Sequence, residues 1–178
     1  MDSEYYTAGE KEFLLKIAYK SLEKFLMSGE KFEPQTINKK LWEKRGVFVT
    51  LNLDNKLHGC VGHIEPQESL ILSVRDNTIL AFNDPRSQPF KIGDLDKVEI
   101  EISILSELEK VSIDQIKSGD GVLIRRGSNS ATYLPNVWSS FKDKQEFLNS
   151  LCLKANIDSK PYDDGKIDFW TYKAIFFK

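Results

Sequence analysis

Val98, Ile100, Ile102 and Ile104 alternate without a break with Glu99, Glu101 and Ser103, and only an extended chain puts successive side chains on opposite sides. The segment is therefore a strand with one apolar face and one charged face. Whatever fold the chain adopts has to cover that apolar face and pair that strand's edges.

The rest of the chain supplies both. A helix is expected from Ala8 to Ser28, because Thr7 and Glu10 form a capping box, Phe13, Leu14, Ile17, Ala18, Leu22, Phe25 and Leu26 recur at helical spacing, and Gly29 stops it. Val47–Leu53 and Leu57–Val61 read as a hairpin through Asp54-Asn55-Lys56, whose Asn tolerates positive φ. The Leu57–Val61 strand is expected to pair with Val47–Leu53 and to lie inside the sheet. A second helix is expected from Glu68 to Asn83, with Leu70, Ile71, Val74, Thr78, Leu80, Ala81 and Phe82 on its apolar side, and Pro85 cannot extend it. Val122–Arg126 and Ser130–Leu134 flank Gly127-Ser128-Asn129 as a second hairpin. A third helix from Asp143 to Asn156 and a strand from Phe169 to Phe177 close the chain. Strands joined by hairpins and interrupted by helices imply an α+β fold with a largely antiparallel sheet flanked by helices.

At 178 residues and 40% hydrophobic content, the chain can bury one substantial core, with room for a small second subdomain but not for two full domains. The 25 basic residues are interspersed with 27 acidic ones for a net charge of -2, which argues against a reader of phosphate backbones, so no nucleic-acid partner is expected. No apolar run approaches the roughly 20 residues that span a bilayer, and the amino terminus lacks the basic and apolar regions of a signal peptide. A cytoplasmic protein without a membrane partner is expected, with Cys60 and Cys152 as free thiols.

Chemistry concentrates in Leu57-His58-Gly59-Cys60-Val61-Gly62-His63-Ile64-Glu65-Pro66, which holds both histidines and one of the two cysteines. His58 stands two residues from Cys60, and on an uninterrupted strand the two share a face, so a Cys-His pair with Cys60 as nucleophile is geometrically open. The competing reading makes Cys60 a small packed residue, in which case Cys60→Ser destabilises the fold and the thiol resists alkylation. Gly59 and Gly62 weaken a strand and are tolerated where a ligand, a helix or a bulge comes close. A bulge at Gly62 would bring His63 to the face of His58 and Cys60, with Glu65 nearby, but the recognised zinc spacings are absent and no metal is assigned. Arg86 can hold an anion bidentately with Asp84 to orient it, or the two can form a helix-end ion pair. Trp138 and Cys152 are assigned to packing.

The hexapeptide at 57–62 resembles the Leu-Arg-Gly-Cys-Ile-Gly signature of the AMMECR-domain family. Ala81-Phe82-Asn83-Asp84-Pro85-Arg86, Val98–Leu105, Gly121–Arg125, Ala131–Trp138, Glu146-Phe147-Leu148 and Leu153-Lys154-Ala155 follow in the family's order. The last blocks are similar to the prokaryotic branch called AmmeMemoRadiSam system protein A, and the resemblance covers essentially the whole chain. It implies a single domain over residues 1–178, with a larger and a smaller lobe meeting at a cleft. It also implies work alongside a Memo-like protein and a radical SAM protein. Two departures stand out: His58 replaces the usual arginine, which weakens any role for a fixed positive charge there, and Ser87 replaces a phenylalanine whose stacking or packing role is either lost or moved to Phe90. No iron-sulfur cluster motif, phosphate loop or dinucleotide fingerprint is present, so no cofactor is assigned to this chain.

Two function classes follow. In one the chain is a binding module whose site, built from His58, Gly59, Gly62, His63, Asp84 and Arg86, holds a small anionic ligand or a partner peptide, with His58 and Arg86 expected to share one cavity with Cys60. In the other it is a cysteine-dependent enzyme acting through Cys60 on a small metabolite or modified residue.

Overall fold

The computed structural model describes residues 5–85, 87, 89–158 and 166–178. The chain divides into two compact units, Met1–Leu105 with Ile175–Lys178, and Ser106–Ala174.

The first unit opens with α1, Ala8–Ser28. Thr7 Oγ1 accepts the Glu10 N–H at 3.2 Å and the Glu10 carboxylate accepts the Thr7 N–H at 2.8 Å, so the expected capping box forms. Gly29 ends the helix at φ 72°, a left-handed conformation in which its N–H reaches the Phe25 carbonyl at 2.8 Å. Strands β1, Val47–Leu53, and β2, Lys56–His63, pair antiparallel. Asp54 and Asn55 connect them at φ 49° and 61°, the positive values that a two-residue hairpin turn needs to match strand twist.

Helix α2 runs Leu70–Phe82, two residues shorter at its start than periodicity suggests. The Glu43 carbonyl takes the Leu70 N–H at 2.8 Å and Ser69, extended, bridges to Lys44, so the helix begins only at Leu70. Leu80, expected on the apolar side, is exposed. Strand β3, Val98–Leu105, pairs with β1. Leu14, Ile17 and Ala18 of α1 and Leu70, Ile71, Val74 and Ala81 of α2 pack on Val49, Leu51, Ile100, Ile102 and Ile104, so both helices cover one face of this sheet.

The second unit contains β4, Glu109–Val111; β5, Gly121–Arg126; β6, Asn129–Tyr133; α3, Lys144–Lys154; and β7, Asp168–Tyr172. Its sheet runs β4-β7-β5-β6, with all described pairings antiparallel. Its core gathers Val122, Ile124, Phe147, Leu151, Cys152 and Phe169. Trp138 stacks on Phe147 with centroids 3.9 Å apart, and its indole N–H donates to the Asp120 carbonyl at 2.7 Å, which satisfies the polar edge of a packed tryptophan.

The closing strand expected over 169–177 is two strands. After β7 the Lys173 N–H goes to Ser106 Oγ at 2.9 Å and its carbonyl accepts the Ser106 N–H at 2.8 Å. With both backbone groups so engaged, Lys173 leaves the second sheet's ladder, and β8, Ala174–Phe177, joins the first sheet, whose order is β2-β1-β3-β8. That order corrects a second expectation. The strand carrying Cys60 does pair with Val47–Leu53, but it is the sheet's edge, and β1 takes the interior position. The fold is a mixture of helices and antiparallel sheet. Among the described residues no helix is long and apolar enough to cross a membrane.

Candidate functional site

The position of Cys60 follows from one extra residue in β2. A hairpin closed at Leu53 and Lys56 and continued regularly would set Cys60 opposite Val49, on the helix-covered face. Instead Leu51 pairs with Gly59 while Asn52 pairs with Leu57, so His58 and Gly59 together oppose Leu51. This is a β-bulge. It shifts the later register by one, and Cys60 stands opposite Thr50 on the other face.

The Leu105 N–H donates to the Gly46 carbonyl at 2.8 Å. Continuing that alternation along the β1–β3 ladder makes the even-numbered residues of β1 bond to β3 and leaves Val47, Val49 and Leu51 to bond to β2. Thr50 and Cys60 are therefore a pair without mutual backbone bonds, the arrangement in which facing side chains come closest. The contact matches: Thr50 Oγ1 donates to Cys60 Sγ at 3.2 Å. Glu101 lies opposite Thr50 on β3, so Cys60, Thr50 and Glu101 form one row across three strands, and Gly62, Phe48 and Ser103 form the next. Cys60 itself is half-buried.

His58 goes the other way. Its imidazole is 6% exposed, and Nε2 lies 3.2 Å from the Phe82 carbonyl at the end of α2, a contact that needs the proton on Nε2. Phe90 meets the ring edge-on at a centroid distance of 5.2 Å and also packs on Phe82. The shared face expected for His58 and Cys60 is thus lost to the bulge. His58 instead closes a carbonyl that the helix leaves without an internal partner. His63 is exposed at the end of β2, opposite Val47 of the helix-covered face. The bulge lies at His58, not at Gly62, and does not gather the histidines around Cys60. Among the described residues no group of three or more His, Cys, Asp or Glu is placed to hold a metal.

Both signature glycines have packing reasons. A Cβ at Gly59 would collide with the Ala81 carbonyl of α2, and one at Gly62 with the Val47 carbonyl and the Phe48 side chain. Asp84 is buried at the exit of α2, where its carbonyl accepts the Ser87 N–H at 3.0 Å. Arg86 lies outside the described residues, and with it the expected cavity shared by Arg86, His58 and Cys60.

Thr50 and Glu101 are the neighbours that pattern reading missed. Each follows from the pairing register, but only once the bulge is known.

A family model described as AMMECR1 matches residues 15–177. Protein MK0488 of Methanopyrus kandleri is 33% identical over 98% of this chain and 91% of its own length. Protein PYRAB00100 of Pyrococcus abyssi is 33% identical over 94% and 89%. Among solved structures, the crystal structure of the uncharacterized protein PH0010 from Pyrococcus horikoshii matches with a TM-score of 0.84 at 31% identity, covering 93% of this chain and 89% of that one.

Proposed function

We propose a noncatalytic docking role for this chain, which belongs to the AMMECR1 family: an extended segment of a partner protein adds to the outer edge of β2. The observation that carries the reading is the edge position of the signature strand. With Gly59, Val61 and His63 bonded to β1, the backbone N–H and C=O groups of Cys60 and Gly62 point outward, and no strand pairs with them among the described residues. Such an edge accepts an added strand through main-chain bonds, and the side chains beside it set preference. Here the Cys60 side chain borders the added strand on one face, with Thr50 behind it on β1.

The cysteine-enzyme alternative draws less support. A nucleophilic thiol needs a base within reach, yet His58 bonds to the Phe82 carbonyl and His63 stands on the Val47 side of the sheet. The partner of Cys60 is the Thr50 hydroxyl, which is not a base at neutral pH.

A Memo-like protein and a radical SAM protein, the components suggested by the AmmeMemoRadiSam resemblance, are the proposed partners. Residue-resolved amide exchange tests the reading. In the chain alone, Cys60 and Gly62 should exchange quickly while Gly59, Val61 and His63 are protected, and the Memo-like protein or the radical SAM protein of the same genome should protect Cys60 and Gly62. Binding by either partner that leaves these two amides fast would refute edge addition.

A further inference from the structure

Away from the β2 edge, and independent of that reading, a groove of about 420 Å³ opens between α1 and the start of β3. Residues 12, 15, 16, 19 and 20 of α1 line one wall, a spacing that is a single helical face. Leu15, Tyr19, Val98 and Ile100 provide the apolar surface. Tyr19 is 37% exposed, so the groove is open to water rather than sealed in the core. The rim is ionic, formed by Glu12, Lys16, Lys20, Glu99 and Lys178.

We propose that this groove binds a free, single-tailed amphiphile with one anionic head group, of which a medium-chain fatty acid is the simplest example. The rim selects the sign. Glu12 is paired with Lys16 at 2.7 Å and Glu99 with Lys178 at 3.1 Å. Among the described residues no carboxylate is paired with Lys20, which is left as the surplus cation of the rim, its ammonium 5.8 Å from the centroid of the Phe32 ring. Both ion pairs are exposed, and such pairs hold weakly enough for an incoming carboxylate to compete for their lysines.

Size selects the class. Small-molecule pockets run roughly 300 to 1,000 Å³. The wall from residue 12 to residue 20 is only about 12 Å long at the helical rise, too small for the roughly 800 Å² that a stable protein interface buries on each side. The two rim glutamates would meet the head groups of an anionic bilayer, which favours a monomeric ligand over a membrane surface.

The test is calorimetric titration of the full chain with decanoate below its micelle concentration, alongside decanol and decylamine, with Tyr19→Glu and Lys20→Met as variants. Both changes sit at the solvent-facing side of α1, and circular dichroism checks that each variant folds. One saturable site is expected, with decanoate at least about fivefold tighter than decylamine, the preference a charge-assisted contact supplies. Lys20→Met should reduce that preference while leaving decanol binding unchanged, and Tyr19→Glu should weaken decanoate and decanol. Non-saturating uptake, equal affinity for decanoate and decylamine, or undiminished binding by Tyr19→Glu would overturn the proposal. So would cosedimentation with phosphatidylglycerol vesicles in the absence of decanoate binding.

Discussion

Replacing Gly59 with alanine tests the argument that α2 and the bulged strand define each other. The added Cβ would collide with the Ala81 carbonyl. That obstacle is helix backbone, which cannot swing aside as a flexible side chain does. Moving α2 away strains three anchors: the Asn77 amide on the Val47 carbonyl at 3.1 Å, the Leu70 N–H on the Glu43 carbonyl at 2.8 Å, and His58 on the Phe82 carbonyl at 3.2 Å. Overpacking a tight core costs roughly 1 to 3 kcal/mol, and loss of one buried hydrogen bond adds about 1 kcal/mol. A destabilisation of about 2 to 4 kcal/mol is expected, and at roughly 2 to 4 °C per kcal/mol for a chain of this size the melting temperature should fall by about 5 to 15 °C. Differential scanning calorimetry and urea denaturation measure it. The control is Gly9→Ala in the first turn of α1, where nothing lies within 4 Å of the new Cβ and helix propensity should add up to about 1 kcal/mol. If Gly59→Ala lies within about 0.5 kcal/mol of wild type, which is the spread of ordinary surface changes, the glycine is not there for the helix and the packing argument fails.

Cys60→Ser should cost less than about 1 kcal/mol, because Cys60 is half-buried and the Thr50 hydroxyl is ready to bond the new one; a loss of several degrees in thermal melting would return Cys60 to the core. Peptide mapping after iodoacetamide treatment should find Cys60 modified in the native protein and Cys152 only after unfolding, since Cys152 is fully buried and burial pushes its thiol pKa up. Glu10 should contribute to acid stability. Burial pushes its carboxyl up, but the Thr7 N–H, the Asn38 amide, the Lys40 ammonium and the Thr7 hydroxyl outweigh that and hold its pKa at about 2 against an ordinary 4.5. Because the folded value is the lower one, the stabilisation is complete above 4.5 and is lost as pH falls toward 2. Urea titrations should therefore show Glu10→Gln less stable than wild type at pH 7, with the gap closing across that interval; a constant gap would assign the effect to shape rather than charge.

The local elements were legible from short stretches of chain. Thr7, Glu10 and Gly29 set both ends of α1, the alternation over Val98–Leu105 identified β3, and Asp54-Asn55 marked the hairpin turn, because capping, periodicity and positive φ are properties of a few neighbouring residues. Family membership was legible for the same reason, in short blocks such as Leu57–Gly62 and Ala81–Pro85 that keep their order along the chain. Tertiary structure alone decided the face on which Cys60 appears. A hairpin without a bulge would send His58 and Cys60 to the same side, and nothing within Leu57–His63 forbids it. The bulge at His58 comes with contacts to a helix more than ten residues further on, where Gly59 passes under Ala81 and the imidazole reaches the Phe82 carbonyl. The edge position of β2 and the change of sheet at Lys173 are likewise set by partners far along the chain. Local pattern specifies what an element is, but register and neighbours depend on which distant groups satisfy its backbone and fill its face, and those become defined only when the whole sheet is assembled.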